Sequence, residues 1–263
     1  MKTTLTKHAN ISEPKVSANI YSSSGYKVFV LFLCLISYNS IIAQSGIVTY
    51  IDIGSNNVSD GLFIRSASCG RFQFGKNRVS GGFQNDLKSI NNNLFSGYTI
   101  NASRELVNKG SHFELQGFCT WTLYSEFLRE TNWGGLFKMR HRRFEIQIGT
   151  NFRTYAFREK ALKYYDIEKY SERIHENFNL MYSFSYYLKK SDDPWNIGLS
   201  ITNIDYFIIN QETNPVINLR GLYKPSPQAC LFAEFWYKPA GTLNHAVNHF
   251  GYFFRIGMIW NFN

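Results

Sequence analysis

The sequence predicts an all-β protein, an antiparallel up-and-down transmembrane β-barrel of about twelve strands. Three observations carry this. Apolar residues make up 44% of the 263-residue chain and aromatic residues 17%, yet it has no series of the 20-residue apolar runs from which helical membrane proteins are built. Side chains instead alternate between apolar and polar over segments long enough for a tilted strand to cross a bilayer. The breaks between segments are short and long in turn, as a barrel with tight turns at one end and loops at the other requires. The mean hydropathy of −0.26 fits one apolar face and one polar face.

The N-terminus reads as an address. Lys27 precedes a short apolar core, and a polar stretch then ends in the small residue Ala43. That is the pattern of a secretory signal peptide cleaved before Gln44. Residues 1–43 are therefore expected to be an N-terminal extension plus signal that is removed, and residues 44–263 the barrel domain. The apolar core is too short to span a bilayer. Cys34 lies inside it, not after a small-residue site, which argues against a lipoprotein anchor.

Strands are expected near 46–53, 61–75, 79–88, 94–105, 112–124, 133–140, 143–158, 175–189, 194–208, 215–224, 229–238 and 249–262. The first four alternate poorly, which leaves ten strands as the alternative. From the fifth onward the period of two is clear. Phe113, Leu115, Gly117, Cys119, Trp121 and Leu123 oppose Glu114, Gln116, Thr120 and Thr122. Phe144, Ile146, Ile148, Thr150 and Phe152 oppose Glu145, Gln147, Gly149, Asn151 and Arg153. Phe178, Leu180, Tyr182, Phe184 and Tyr186 oppose Asn179, Met181, Ser183 and Ser185. Trp195, Ile197, Leu199 and Ile201 oppose Asn196, Gly198, Ser200 and Thr202, and Leu231, Ala233, Phe235 and Tyr237 oppose Phe232, Glu234 and Trp236. The last segment is the most regular, with Phe250, Tyr252, Phe254, Ile256, Met258, Trp260 and Phe262 on one face.

Short breaks follow strands two, six, eight and ten, and longer ones strands seven, nine and eleven, including 159–174 and 239–248. The break between strands four and five is longer than this rhythm asks for. Trp195, Tyr186, Tyr237 and Trp260 stand at segment ends, where aromatic girdles belong. The apolar face is therefore expected outward and the polar face inward.

The formal charge is +9, but the only compact basic group is His141-Arg142-Arg143 between two strands, a solvated turn; nucleic acid is not expected as a partner. Cys69, Cys119 and Cys230 remain after the signal, with no CxxC spacing, so metal or redox use is not expected and packing is; a Cys119–Cys230 disulfide stays open. His245 and His249 fall in a predicted loop, where a spacing of four gives no common face. No cofactor is expected.

The ending Met258-Ile259-Trp260-Asn261-Phe262 resembles the C-terminal strand of Gram-negative outer-membrane β-barrel proteins, whose aromatic-x-aromatic ending is read by the assembly machinery. Here Asn263 follows the aromatic. The resemblance covers the mature chain in architecture and implies the bacterial outer membrane as location. It also implies outer-membrane lipid, lipopolysaccharide and the barrel-assembly machinery as partners, and Trp260 and Phe262 as the assembly signal.

Outer-membrane phospholipases share a twelve-stranded barrel, but their His-x-Ser-Asn-Gly type signature is absent, and His175-Glu176-Asn177 has no serine at the required offset. No catalytic residue is assigned. The expected lumen contacts for a solute are Glu114, Glu145, Asn151, Arg153, Asn179, Arg220, Glu234 and Arg255. Mixed charge of this kind lines a narrow pore for polar or anionic solutes. Alternatively it pairs across the lumen and closes it, leaving a structural or binding barrel. Inward Phe118, Phe232 and Trp236 narrow the opening, and loop 159–174, which mixes charges with tyrosines, reads as a surface loop or as one folded into the mouth.

Overall fold

The computed structural model describes residues 44–56, 61–87, 97–108, 110–123, 128–158, 173–190, 193–207, 210–238 and 250–262. The signal segment, most of loop 159–174, His245, His249 and Asn263 lie outside the described residues, as do the side chains of His175, Glu176 and Asn177.

Twelve strands form the wall: β1 (Gln44–Asn56), β2 (Gly61–Phe74), β3 (Asn77–Asp86), β4 (Gly97–Asn108), β5 (Ser111–Leu123), β6 (Leu128–His141), β7 (Phe144–Phe157), β8 (Arg173–Tyr187), β9 (Trp195–Asp205), β10 (Asn210–Tyr223), β11 (Ala229–Tyr237) and β12 (Phe250–Phe262). Each pairs antiparallel with its sequence neighbours, and β1 pairs with β12, so the barrel is closed. Closure leaves no sheet edge, which is the condition for crossing hydrocarbon with strands. The strand count is twelve, not the alternative ten.

Gln44 and Phe262 lie at one end, the terminal end. Three of the turns there are two residues long. Gly75 (φ 57°) and Arg142 (φ 53°) take the left-handed conformation that two-residue hairpins need, and Gly110 (φ 74°) does so between β4 and β5. That last turn corrects the expected long break. Residues 106–108 continue β4 through a bulge between Glu105 and Val107, which breaks the alternation there. The expected longer break after strand nine is also corrected, because β10 opens at Asn210 and only residues 206–209 intervene. The irregularity lies instead inside β10, between Gln211 and Val216, where Pro215 has no N–H to give to a ladder. β6 likewise starts at Leu128, its polar residues 129–132 paired on both sides.

The wall is apolar outside and polar inside. Ile51, Ile53, Leu115, Ile148, Leu199, Ile201, Leu219, Phe254 and Ile256 are exposed, while Asp52, Glu114, Glu130, Asn132, Glu145, Asn151, Asn218, Glu234 and Arg255 are buried. Trp195, Tyr186, Tyr237 and Trp260 stand exposed near strand ends. A continuous apolar surface of this size is not stable in water and suits a hydrocarbon surround. The three cysteines are free: Cys119 faces outward, Cys69 is buried, and Cys230 lines the interior, so the disulfide left open by the sequence does not form.

Candidate functional site

Strand register sets the interior chemistry. Arg220 of β10 lies opposite Glu234 of β11, Glu234 opposite Arg255 of β12, and Arg255 opposite Asp52 of β1. Asp52 lies opposite Arg65 of β2, and Arg65 opposite Asp86 of β3. Six adjacent strands thus carry alternating charge in one row of facing residues. Arg220 stands near the terminal end of β10 and Asp86 closes the far end of β3, so the row climbs the lumen. Facing residues on adjacent strands are the closest neighbours a sheet offers, which makes opposite charges favourable at each step.

The centre of the row is fully desolvated. Arg255 donates from Nε to Asp52 Oδ1 (2.7 Å) and from Nη2 to Asp52 Oδ2 (3.0 Å). It also donates from Nη1 and Nη2 to Asp205 Oδ1 and Oδ2 (2.8 and 2.6 Å), with Glu234 Oε2 3.5 Å from Nη1. Glu234 accepts from Arg220 Nε and from Trp236 Nε1, the latter at 2.7 Å. The Tyr50 ring covers the Arg255 guanidinium at 4.0 Å. Arg255, Asp52 and Glu234 are thus paired and hydrogen-bonded, the condition under which burial is tolerated.

Asp205 comes from an unexpected place. β9 is paired with β8 only up to Thr202, opposite Ser183. Beyond it, side chains replace the ladder: Asn203 Oδ1 accepts from Tyr182 N (2.7 Å), and Asn203 Nδ2 donates to Leu180 O (2.8 Å). The end of β9 and the connection after it then turn into the lumen. Ile204 packs with Phe118, Leu136 and Met181. The Tyr206 hydroxyl lies 2.7 Å from Ser183 Oγ, and its ring covers Arg220 at 4.5 Å. Phe207 stacks on Phe232 at 4.8 Å and leans on Tyr50 at 5.5 Å. Trp236, stacked on Phe253 at 5.4 Å, lies beside Tyr206. Together these groups fill the lumen at mid-height.

Below this tip, toward the terminal end, is a cavity of about 430 Å³. Val48, Leu136, Ile204, Tyr206 and Phe207 border it, and it reaches the turn residues Asp193 and Lys224. Its wall is basic in balance: Arg71, Arg78, Lys138, Arg140, Arg220 and Lys224 against Glu114, Glu145 and Asp193. Arg78 Nη1 pairs with Glu114 Oε1 at 3.3 Å, and Lys138 Nζ with Glu145 Oε2 at 3.2 Å. Gln147 Nε2 donates to Glu145 Oε1 at 3.0 Å.

The residues singled out from the sequence fall into three groups. Glu114, Glu145 and Arg220 line the cavity. Glu234 and Arg255 belong to the ion-pair row. Asn151 and Arg153 stand beyond the tip, Asn151 Nδ2 donating to Asn132 Oδ1 (2.6 Å) and Arg153 Nε lying 3.4 Å from Glu130 Oε1; Asn179, half-buried, is opposite Asn151. Phe118, Phe232 and Trp236 are buried in the packed middle. Trp260 and Phe262 are exposed on the outer face of β12. The sequence reading missed Asp52, Asp205, Tyr206 and Phe207. Asp52 shares its inward face with apolar Val48 and Tyr50, which blurs the period of two. Asp205 to Phe207 continue an ordinary strand pattern, and nothing local marks where β9 leaves the wall.

No family model matches the chain, and no curated protein does. Among solved structures it is similar to the KdgM porin, with 11% identity and a TM-score of 0.49 over 83% of this chain and 99% of that one. It is similar to the NanC porin, with 11% identity and a TM-score of 0.46 over 82% and 98%. The outer membrane phospholipase A of Escherichia coli gives 7% identity and a TM-score of 0.44 over 82% and 92%. These values assign neither an activity nor a solute; the barrel assignment rests on the closed ladder and the inverted polarity of the wall.

Proposed function

We propose that the chain is a bacterial outer-membrane barrel of the porin-like type, a narrow channel for small polar or anionic solutes that rests closed. The signal-like segment supports export of residues 44–263 from the cytoplasm, and the apolar wall with its aromatic ends supports a membrane surround. With an even strand count both termini face the periplasm, so the basic cavity opens on that side. Outer-membrane lipid and lipopolysaccharide surround the wall, and Trp260 and Phe262 engage the assembly machinery. Glu114, Glu145 and Arg220 are the first contacts of a solute in the cavity, and Asn151, Arg153 and Asn179 the contacts beyond the tip.

One observation carries the channel reading. The obstruction is the tip of a hairpin that has left the wall, while the wall itself encloses a water-sized, charged path up to that tip. A second reading, a permanently closed binding barrel, is favoured by the paired charges of the row. Planar-bilayer conductance of the refolded protein separates the two. The parent chain should be mostly silent, and a Tyr206→Gly/Phe207→Gly variant should show stable open steps, reduced by Arg220→Ala. Silence of the tip variant, with heat-modifiable gel migration retained, would select the closed barrel.

A further inference from the structure

Three carboxylates surround Arg255, and they are not held alike. Asp52 and Glu234 sit on strands paired on both sides. Asp205 stands where β9 has left β8, and its ladder partner among the described residues is Asn210 of its own hairpin. Its side chain keeps 21% exposure, against 2% for Asp52 and 0% for Glu234. Asp205 is therefore the carboxylate that the tip carries.

A buried guanidinium cannot be left short of acceptors. If Asp205 withdraws, Arg255 Nη1 keeps only the 3.5 Å approach of Glu234 among the described residues. Arg220, next along the row, is already short: its Nη2 is buried beneath the tip without a hydrogen-bond partner among the described residues. Withdrawal uncovers both guanidiniums together, beside a cavity whose wall is basic in balance.

We infer that Arg255 and Arg220 form an exchangeable carboxylate site, filled in the closed barrel by the chain's own Asp205 and taken by a carboxylate-bearing solute when the tip swings out. This rests on the closed-channel reading above. The incoming carboxylate replaces the two hydrogen bonds of Asp205 on Arg255, and a second acceptor of the same solute serves Nη2 of Arg220. It binds the tip-out state alone, so its binding must shift the barrel toward that state. The tip is thus a tethered competitor of the solute, and occupancy and opening are coupled.

The test uses Cys69, which is buried at the cavity's edge in the cluster with Tyr50 and Phe232 against which Phe207 packs, and which becomes more accessible when the tip leaves. The full chain carrying Cys34→Ser, Cys119→Ser and Cys230→Ser is refolded into vesicles, and the rate of Cys69 labelling by N-ethylmaleimide is followed. Sodium succinate should raise the rate about fivefold or more, the usual range of coupling between sites. Succinamide and sodium chloride at matched ionic strength should not. Asp205→Asn should label fast and ignore succinate, whereas Asp205→Glu should stay slow and responsive. A parent rate indifferent to succinate overturns the site, whatever the Asn variant does, and so does a folded Asp205→Asn variant that labels as slowly as the parent. If the labelling response holds but the tip variant conducts no current, the channel reading fails and the exchange site stands. Open steps without a succinate response give the converse.

Discussion

Asp205 closes a bidentate pair with Arg255, 50 residues further along the chain, from a strand that has left the barrel wall to do so. The pair joins the tip that enters the lumen to a guanidinium that is only 1% exposed. Its energetics differ from those of the pairs at the cavity mouth, and the difference is measurable.

Arg255→Met should be among the most damaging substitutions in the chain. It strips Asp52 and Asp205 of the guanidinium they share and leaves Glu234 with Arg220 alone, a loss of about 3–5 kcal/mol. Arg78, whose side chain is about one-third exposed where it meets Glu114 (35%), sits in a better-hydrated place, and Arg78→Gln should cost about 1 kcal/mol or less. Urea unfolding followed by tryptophan fluorescence gives both values. Equal costs would mean that the row does not hold the barrel together.

The outer wall predicts the opposite preference. Ile256 is 69% exposed midway along β12 and faces the surround. Ile256→Lys should destabilise the barrel by about 2–4 kcal/mol in vesicles, as charges do at the bilayer midplane. Gln116→Lys, on the cavity wall of β5, should be nearly neutral. A neutral Ile256→Lys would remove the membrane orientation.

Thiol chemistry maps the two faces directly. Cys230 borders the cavity and Cys119 faces outward. In vesicles, a charged water-soluble methanethiosulfonate should modify Cys230 and leave Cys119 untouched, read by intact mass. Modification of Cys119 alone would invert the wall.

Glycine at 257 is required by close approach. A β-carbon there would collide with the Phe232 ring, Thr49 O and Tyr50 Cβ, which are the platform on which Phe207 stacks. Gly257→Ala should cost about 1–3 kcal/mol, since an overpacked site must shift its neighbours. At Gly221 the nearest contact would be Ala233 O at 3.8 Å, and Gly221→Ala should be tolerated. Thermal shift of the heat-modifiable gel band compares the two.

Much of the wall was legible because each strand meets two media. Glu114, Glu145, Asn151, Arg153 and Glu234 alternate with apolar neighbours, so a period of two assigns their face without a structure. The same logic weakens in β1, where Val48 and Tyr50 turn inward to pack with Ala67, Cys69 and Phe232. Both faces of that strand are apolar, and Asp52 is lost among them. It also failed at residues 106–108, where a bulge breaks the alternation, and at 129–132, whose polar character hides the pairing that makes them a strand.

By itself, then, the sequence determined the all-β class, the membrane-length alternation and which face of most strands carries charge, because these follow from local periodicity and the solvent on either side. Only the tertiary structure decided that the charges align in one row, that β9 leaves the wall after Thr202, and that Asp205 meets Arg255. Register across six strands and the path of a hairpin tip depend on contacts between residues far apart in the chain, such as Asp52 with Arg255, 203 residues away. No local pattern encodes such a distance; it exists only once the barrel has closed on itself.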